Sequence, residues 1–202
     1  NHLTEAGVVA VKADSPYKTI EELVAAAKEK GNLKASTNGN KASNHTAAQL
    51  LAKSAGFKYK AIPYGGTADQ LLALRQGEVD FTCAKVADVA KLVKGDKPEL
   101  RVLAVFNTKR DPELPNVPTL GEKGLYPEWY GSARALVAPK GTKPEVIQYY
   151  VEAFKKTMQD PAVIEAHKKA GMALDFKDNK ELGDLIKAQD KFARDVVNDL
   201  YK

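Results

Sequence analysis

Apolar and polar positions alternate in a regular way along the first part of the chain. Val8-Val9-Ala10-Val11 is a β-branched run and predicts a strand. Ile20, Leu23, Val24 and Ala27 then recur at helical spacing, opened by a Thr19/Glu22 capping box and stopped by Gly31. Residues 33–35 read as a brief strand and 46–55 as a helix with Leu50 and Leu51 inward, ending at Gly56. A strand over 57–62 runs into Pro63-Tyr64-Gly65-Gly66, and a second capping box, Thr67 with Gln70, precedes Leu71, Leu72 and Leu74. Residues 79–83 predict a strand and 86–94 a helix. Residues 100–106, LRVLAVF, are nearly all apolar and predict a central buried strand.

After the proline-rich DPELPNVP the pattern changes. A short helix over 120–123 and a strand over 133–138 are expected. Thr142 and Glu145 cap a helix with Val146, Ile147, Tyr150, Val151 and Phe154 on one face. Asp160-Pro161 opens the next helix, which ends at Gly171. Asn179 opens the last, carrying Leu182, Leu185, Ile186, Phe192, Val196, Val197 and Leu200. The β/α alternation of the first part predicts an α/β fold with a mostly parallel sheet and helices on both faces. The later helices have apolar stripes that too few nearby strands can cover. They either pack on the first sheet or need a second sheet lying outside this chain, and the second reading is preferred.

Composition adds bounds. The 202 residues are 44% hydrophobic and 28% charged, ordinary for a globular chain of one large or two small domains. No run approaches the ~18 apolar residues that span a bilayer. No signal-peptide pattern opens the chain, which reads as mature, cytosolic or partial. One cysteine, Cys83, excludes an internal disulfide and a cysteine-rich metal site. The net charge of +5 is scattered and mixed with acids, as in Lys28-Glu29-Lys30, so it reads as solvated surface and no nucleic acid partner is expected.

Candidate chemistry lies in the loops after the strands, where open α/β sheets take ligands. In KASTNGNKASNH, residues 34–45, Ser36, Thr37, Asn38, Asn40 and Ser43 offer small polar groups, Gly39 frees the backbone, and His45 begins a helix whose N-terminus suits an anion. The same stretch also suits plain helix capping by Ser43 or Asn44. Tyr64, Gly65, Gly66 and Thr67 form a second close-approach loop, which would look the same as a tight turn. At the third strand, Asp80 either meets a ligand or fixes a loop, and Lys85 either brings a cation to the site or is a solvated lysine. Catalytic readings fare poorly. His2 is near the start, His167 lies on a charged helix face, and Cys83 has no evident base. No hydrolase elbow, zinc-protease, Walker or dinucleotide motif is present. No metal, cofactor or catalytic group is expected, and the chain does not read as an enzyme.

The combination of VKADSPYKTIEELVAAAKEKGNLK, the loop closing on His45, IPYGG, LLALRQGEVDF, LRVLAVFNTKRDPELPNVPTLGEKG and VAPKGTKPEVI resembles the Bug/TctC family, extracytoplasmic solute-binding proteins of tripartite tricarboxylate transporters. The resemblance covers essentially the whole chain. It implies a type II periplasmic-binding-protein-like α/β fold, two α/β domains around a cleft, with the first domain incomplete in this chain. Residues 1–11 would be a crossover strand, 12–122 domain two, and 123–202 the C-terminal part of domain one, the first third of the family's length being absent. It also implies periplasmic localisation, a small carboxylate ligand held by loops 36–45, 63–67 and the end of strand 79–85, and membrane permease subunits as partners. A domain-exchanged or homodimeric fragment is a further expectation. The chain departs from the family pattern at Lys41-Ala42, at the shortened Pro63-Tyr64 loop and at Ala84-Lys85, so the ligand can differ from a typical di- or tricarboxylate. The alternative is an effector-binding or sensor module of a regulatory system, whose domains share the architecture.

Overall fold

The computed structural model describes residues 1–201. They form two compact units, one of Ala6–Ser132 and one of Asn1–Glu5 with Ala133–Lys202. The strands are β1 (Leu3–Lys12), β2 (Lys34–Thr37), β3 (Lys60–Pro63), β4 (Phe81–Lys85), β5 (Leu100–Phe106) and β6 (Gly131–Arg134). The main helices are α1 (Ile20–Lys30), α2 (Ser43–Ala55), α3 (Thr67–Gln76), the single turn α4 (Val86–Val89), α5 (Pro144–Thr157), α6 (Pro161–Lys169) and α7 (Asn179–Phe192).

The larger unit is built on a sheet of order β3-β2-β4-β1-β5. β2 runs parallel to β3 and β4, as the β/α alternation predicts. β1 is antiparallel to both of its neighbours, with Gly7 opposite Lys85 on one side and Phe106 on the other. The sheet is therefore mixed, and β1 takes the inner place expected for LRVLAVF. β5 matches the predicted span but ends the strand order. Its Val105 is flanked by a loop, accepting from Leu120 N–H (2.9 Å) and donating to Pro118 O (3.0 Å). Covering by that loop is what lets an outer strand be almost wholly apolar.

Burial on both faces explains the unbroken Val-Val-Ala-Val run. Val8 and Ala10 join the cluster of Leu71, Leu74, Val89, Leu100 and Val105, while Val9 and Val11 are also fully buried. Phe57, Tyr59 and Phe81 meet edge to face nearby.

Several helix starts differ from the sequence reading. Thr19 caps α1, its hydroxyl accepting from Glu22 N–H at 3.2 Å, but the Glu22 carboxylate accepts from Lys18 N–H rather than from Thr19. Thr67 is the first residue of α3 and not its cap. That place falls to Gly66, and Gln70 turns inward, fully buried. The helix expected over 86–94 stops after α4, because Leu92 O accepts from Glu99 and Leu100 N–H (2.8 and 3.0 Å) and draws the chain into β5. Residues 120–123 form turns, not a helix.

The unit boundary also lies later than 122/123. Residues 123–132 stay with the larger unit, where Tyr130 N–H donates to Phe106 O and Gly7 N–H to Tyr130 O (3.1 and 2.8 Å).

In the smaller unit, His2 N–H donates to Arg134 O at 3.0 Å, Leu3 bridges Leu174, and buried Glu5 pairs with Arg134 at 2.6 Å. Asp178 caps α7 with a capping box closed by Glu181. The strand predicted over 133–138 ends at Arg134, leaving Leu136 and Val137 63% and 83% exposed. None of the described residues of α5, α6 or α7 is buried. The apolar stripes of α5 and α7 instead line a groove of about 710 Å³ that includes Val146, Tyr150, Phe154, Leu182 and Ile186.

Candidate functional site

The parallel strands β2, β3, β4 and β5 of the larger unit end at Thr37, Pro63, Lys85 and Phe106. In an open α/β sheet this carboxyl edge is where loops and helix N-termini converge on a ligand.

The first loop leaves β2 and enters α2. Ala42, which has no side-chain hydrogen-bonding group, holds the N-cap position. The capping oxygen comes from further back, where Asn38 Oδ1 accepts from Asn44 N–H at 3.2 Å. Ser43 is the first helical residue and is exposed. Neither Ser43 nor Asn44 caps the helix as the plain-capping alternative required. Gly39 has φ 132° and Lys41 has φ 57°, the one non-glycine residue with positive φ among those described. The turn is fastened from inside the helix: Lys41 N–H donates to His45 Nδ1 at 2.9 Å. That bond puts the imidazole proton on Nε2, and burial lowers the His45 pKa, so the ring is held neutral.

Lys85, at the end of β4, is the residue whose placement changes most from the sequence reading. It is 5% exposed rather than a solvated lysine. Its ammonium donates to Asn44 Oδ1 at 2.6 Å and to Ser43 Oγ at 3.4 Å. A cation, the N-terminus of α2 and the exposed Ser43 hydroxyl therefore sit together at one point of the edge. Tyr130 joins them, donating its phenolic proton to Ser43 O at 3.1 Å. Sequence reasoning missed Tyr130, because only the return of the chain beside Gly7 and Phe106 brings it to this loop. The second loop lies on the same edge. Tyr64 N–H donates to Thr37 O at 2.9 Å, tying the start of the loop to the end of β2. Gly65, Gly66 and Thr67 then lead into α3, where the Asp69 carboxylate in the first turn lies against Gly65.

Four of the candidate residues fall elsewhere. Asp80 lies at the opposite end of β4, its carboxylate accepting from Lys34 N–H at 2.7 Å, so it fixes the entry of β2 rather than facing the edge. Ser36 and Thr37 are fully buried. The Ser36 hydroxyl donates to Thr82 Oγ1 at 3.0 Å and the Thr37 hydroxyl to Gly39 O at 3.2 Å, so both shape the loop from beneath. Tyr64 turns its phenol to Glu78 at 3.1 Å, just past the far end of α3, and that carboxylate helps raise its pKa after desolvation. Asn38, Gly39, Asn40, Ser43, His45, Gly65, Gly66, Thr67 and Lys85 remain grouped at the edge. Cys83 is buried, and burial pushes its thiol up to about 12, which keeps it protonated and unreactive. Among the described residues no group of three or more His, Cys, Asp or Glu side chains is arranged to hold a metal ion.

Residues 2–200 match the sequence profile of the tripartite tricarboxylate transporter family receptors, TctC. A UPF0065 protein from the gbd 5' region of Cupriavidus necator is 38% identical over 152 residues, 75% of this chain and 45% of its own length. The chain spans about half the length of the curated relatives it matches. A TctC solute-binding protein from Polaromonas, solved without ligand, superposes with a TM-score of 0.83 at 27% identity, covering 98% of this chain and 67% of that one. The R. palustris protein Rpa4515, solved with adipate, shares the fold with a TM-score of 0.79 at 22% identity, covering 96% and 66%. The chain is an α/β member of the TctC family, the receptors of tripartite tricarboxylate transporters.

Proposed function

We propose that this chain is the carboxylate-binding part of a periplasmic solute-binding protein, and that the carboxyl edge of its larger unit receives one carboxylate of a small metabolite for delivery to membrane permease subunits. The observation that carries this reading is the buried Lys85 ammonium held by Asn44 and Ser43 beside the N-terminus of α2. A carboxylate there gains a charge-assisted hydrogen bond of about 1.5–3 kcal/mol. The helix end adds roughly 0.3–1 kcal/mol, or about 2 when partly buried. The second loop's paired glycines allow close backbone approach, and its fastening to β2 supports a common site. Family membership supports the transporter role, and the adipate of the R. palustris relative supports a dicarboxylate as the first ligand to try. The site binds and does not transform its ligand, a reading in keeping with the protonated Cys83 thiol and the neutral, internally bonded His45.

The test is titration of the chain with adipate, followed by amide NMR. Shifts centred on residues 38–45, 65–67 and 85 are expected, and Lys85→Met should weaken binding about 10- to 100-fold. An adipate response absent from these residues, or unchanged in Lys85→Met, overturns the proposal.

A further inference from the structure

Beneath the carboxyl edge runs a chain of buried polar side chains. Thr82, Gln70 and Ser36 are fully buried and Asn44 is 1% exposed. Isolated polar groups in such a place are costly, and a fully satisfied network is rigid. Each member of this one has a partner. Thr82 Oγ1 donates to Ser36 O at 2.8 Å and accepts from Ser36 Oγ at 3.0 Å. The amide nitrogen of Gln70 donates to Thr82 Oγ1 and, at 2.6 Å, to Cys83 O. Both of its protons are thereby used on β4, so Gln70 can present only its oxygen to the next residue. That oxygen accepts from Asn44 Nδ2 at 2.9 Å. Asn44, in turn, can present only its own oxygen outward, and this is the atom that accepts from the Lys85 ammonium at 2.6 Å. A flip would set donor against donor or oxygen against oxygen at two junctions for Asn44 and at three for Gln70.

We infer that Gln70 and Asn44 are positioning residues, a polarised relay anchored in β4 that aims the Lys85 ammonium at the carboxylate site and so sets its affinity. The inference rests on the reading of Lys85 as the carboxylate-binding cation, but its first consequence does not need a ligand. A held ammonium exchanges its protons slowly, and a loosely held one does not.

The experiment compares the wild-type chain with Gln70→Leu, which cuts the relay without touching Lys85, and with Asn44→Asp, which keeps the shape but places a carboxylate against the ammonium. The first readout is the side-chain ammonium resonance of Lys85 without ligand. It should be resolved in the wild type and broadened by fast exchange in Gln70→Leu. The second is adipate affinity, expected to fall about tenfold in Gln70→Leu and at least as far in Asn44→Asp. Adding Gln70→Leu to Lys85→Met should have no further effect, a non-additivity that a merely structural role for Gln70 would not produce. If Gln70→Leu does not fold, Asn44→Asp and the wild-type ammonium signal decide. A wild-type Lys85 ammonium in fast exchange overturns the inference, as does adipate affinity unchanged in both variants. A slow ammonium in a protein that binds no adipate upholds the relay while overturning the carboxylate reading.

Discussion

At the scale of single residues, the edge works because side chains that look alike in sequence are put to unlike tasks. His45 fastens the turn at Lys41, and its burial has a consequence for pH. Its folded pKa lies below the ordinary value, so the unfolded chain binds more protons in the window from about pH 6.5 down through that lower value. Stability should therefore be full above this window and fall as pH drops through it. Denaturant titrations between pH 7.5 and 5 should show a steeper loss for the wild type than for His45→Gln. Parallel curves would mean that the ring is not held neutral. Sequence reading pointed to the loops at this edge but not to the division of labour within them. Ser36, Thr37 and Asn38 are equally small and polar, yet only Asn38 lies where its backbone and amide border the edge. Lys85 looked like any surface lysine because its burial is made by Asn44 and Ser43, distant in sequence. Tyr130 carried no local signal at all.

At the scale of elements, helices were legible and starts were less so. Periodicity located α1, α2, α3, α5, α6 and α7, because an apolar stripe is a local property. The capping boxes failed at Thr67 and Thr142, where a polar residue near a helix start is bonded elsewhere or stands one place off the cap. The central position of β1 was hidden because strand order is set by pairing and not by composition. Gly7 marks where that pairing is tightest. A Cβ there would lie 3.1 Å from both Phe106 Cδ2 and Tyr130 O, the second a backbone atom. Gly7→Ala should lengthen the Gly7–Tyr130 hydrogen bond and cost about 1–3 kcal/mol, the range for overpacking. Chemical denaturation measures it, and a neutral or stabilising result would show that the segment at Tyr130 yields freely.

At the scale of the whole molecule, the two units differ in kind. The larger one has a sheet buried on both faces, whereas α5, α6 and α7 of the smaller one contain no buried residue among those described. Few buried contacts mean low local stability. Amide hydrogen exchange should be faster throughout these three helices than in β1, β4 and β5, and equal protection in both units would contradict this. Within the sheet, the antiparallel insertion of β1 sets an order of events. Its partners on both sides come much later in the sequence than β1 itself, so it gains no ladder until a long loop has closed, an entropic cost met before any reward. Among the described strands, β1 is the one that pairs with both β4 and β5. β1 brings the tips that carry Lys85 and Phe106 to one level, and Tyr130, bonded to both Gly7 and Phe106, reaches Ser43 at the proposed anion seat in the same step that completes the sheet.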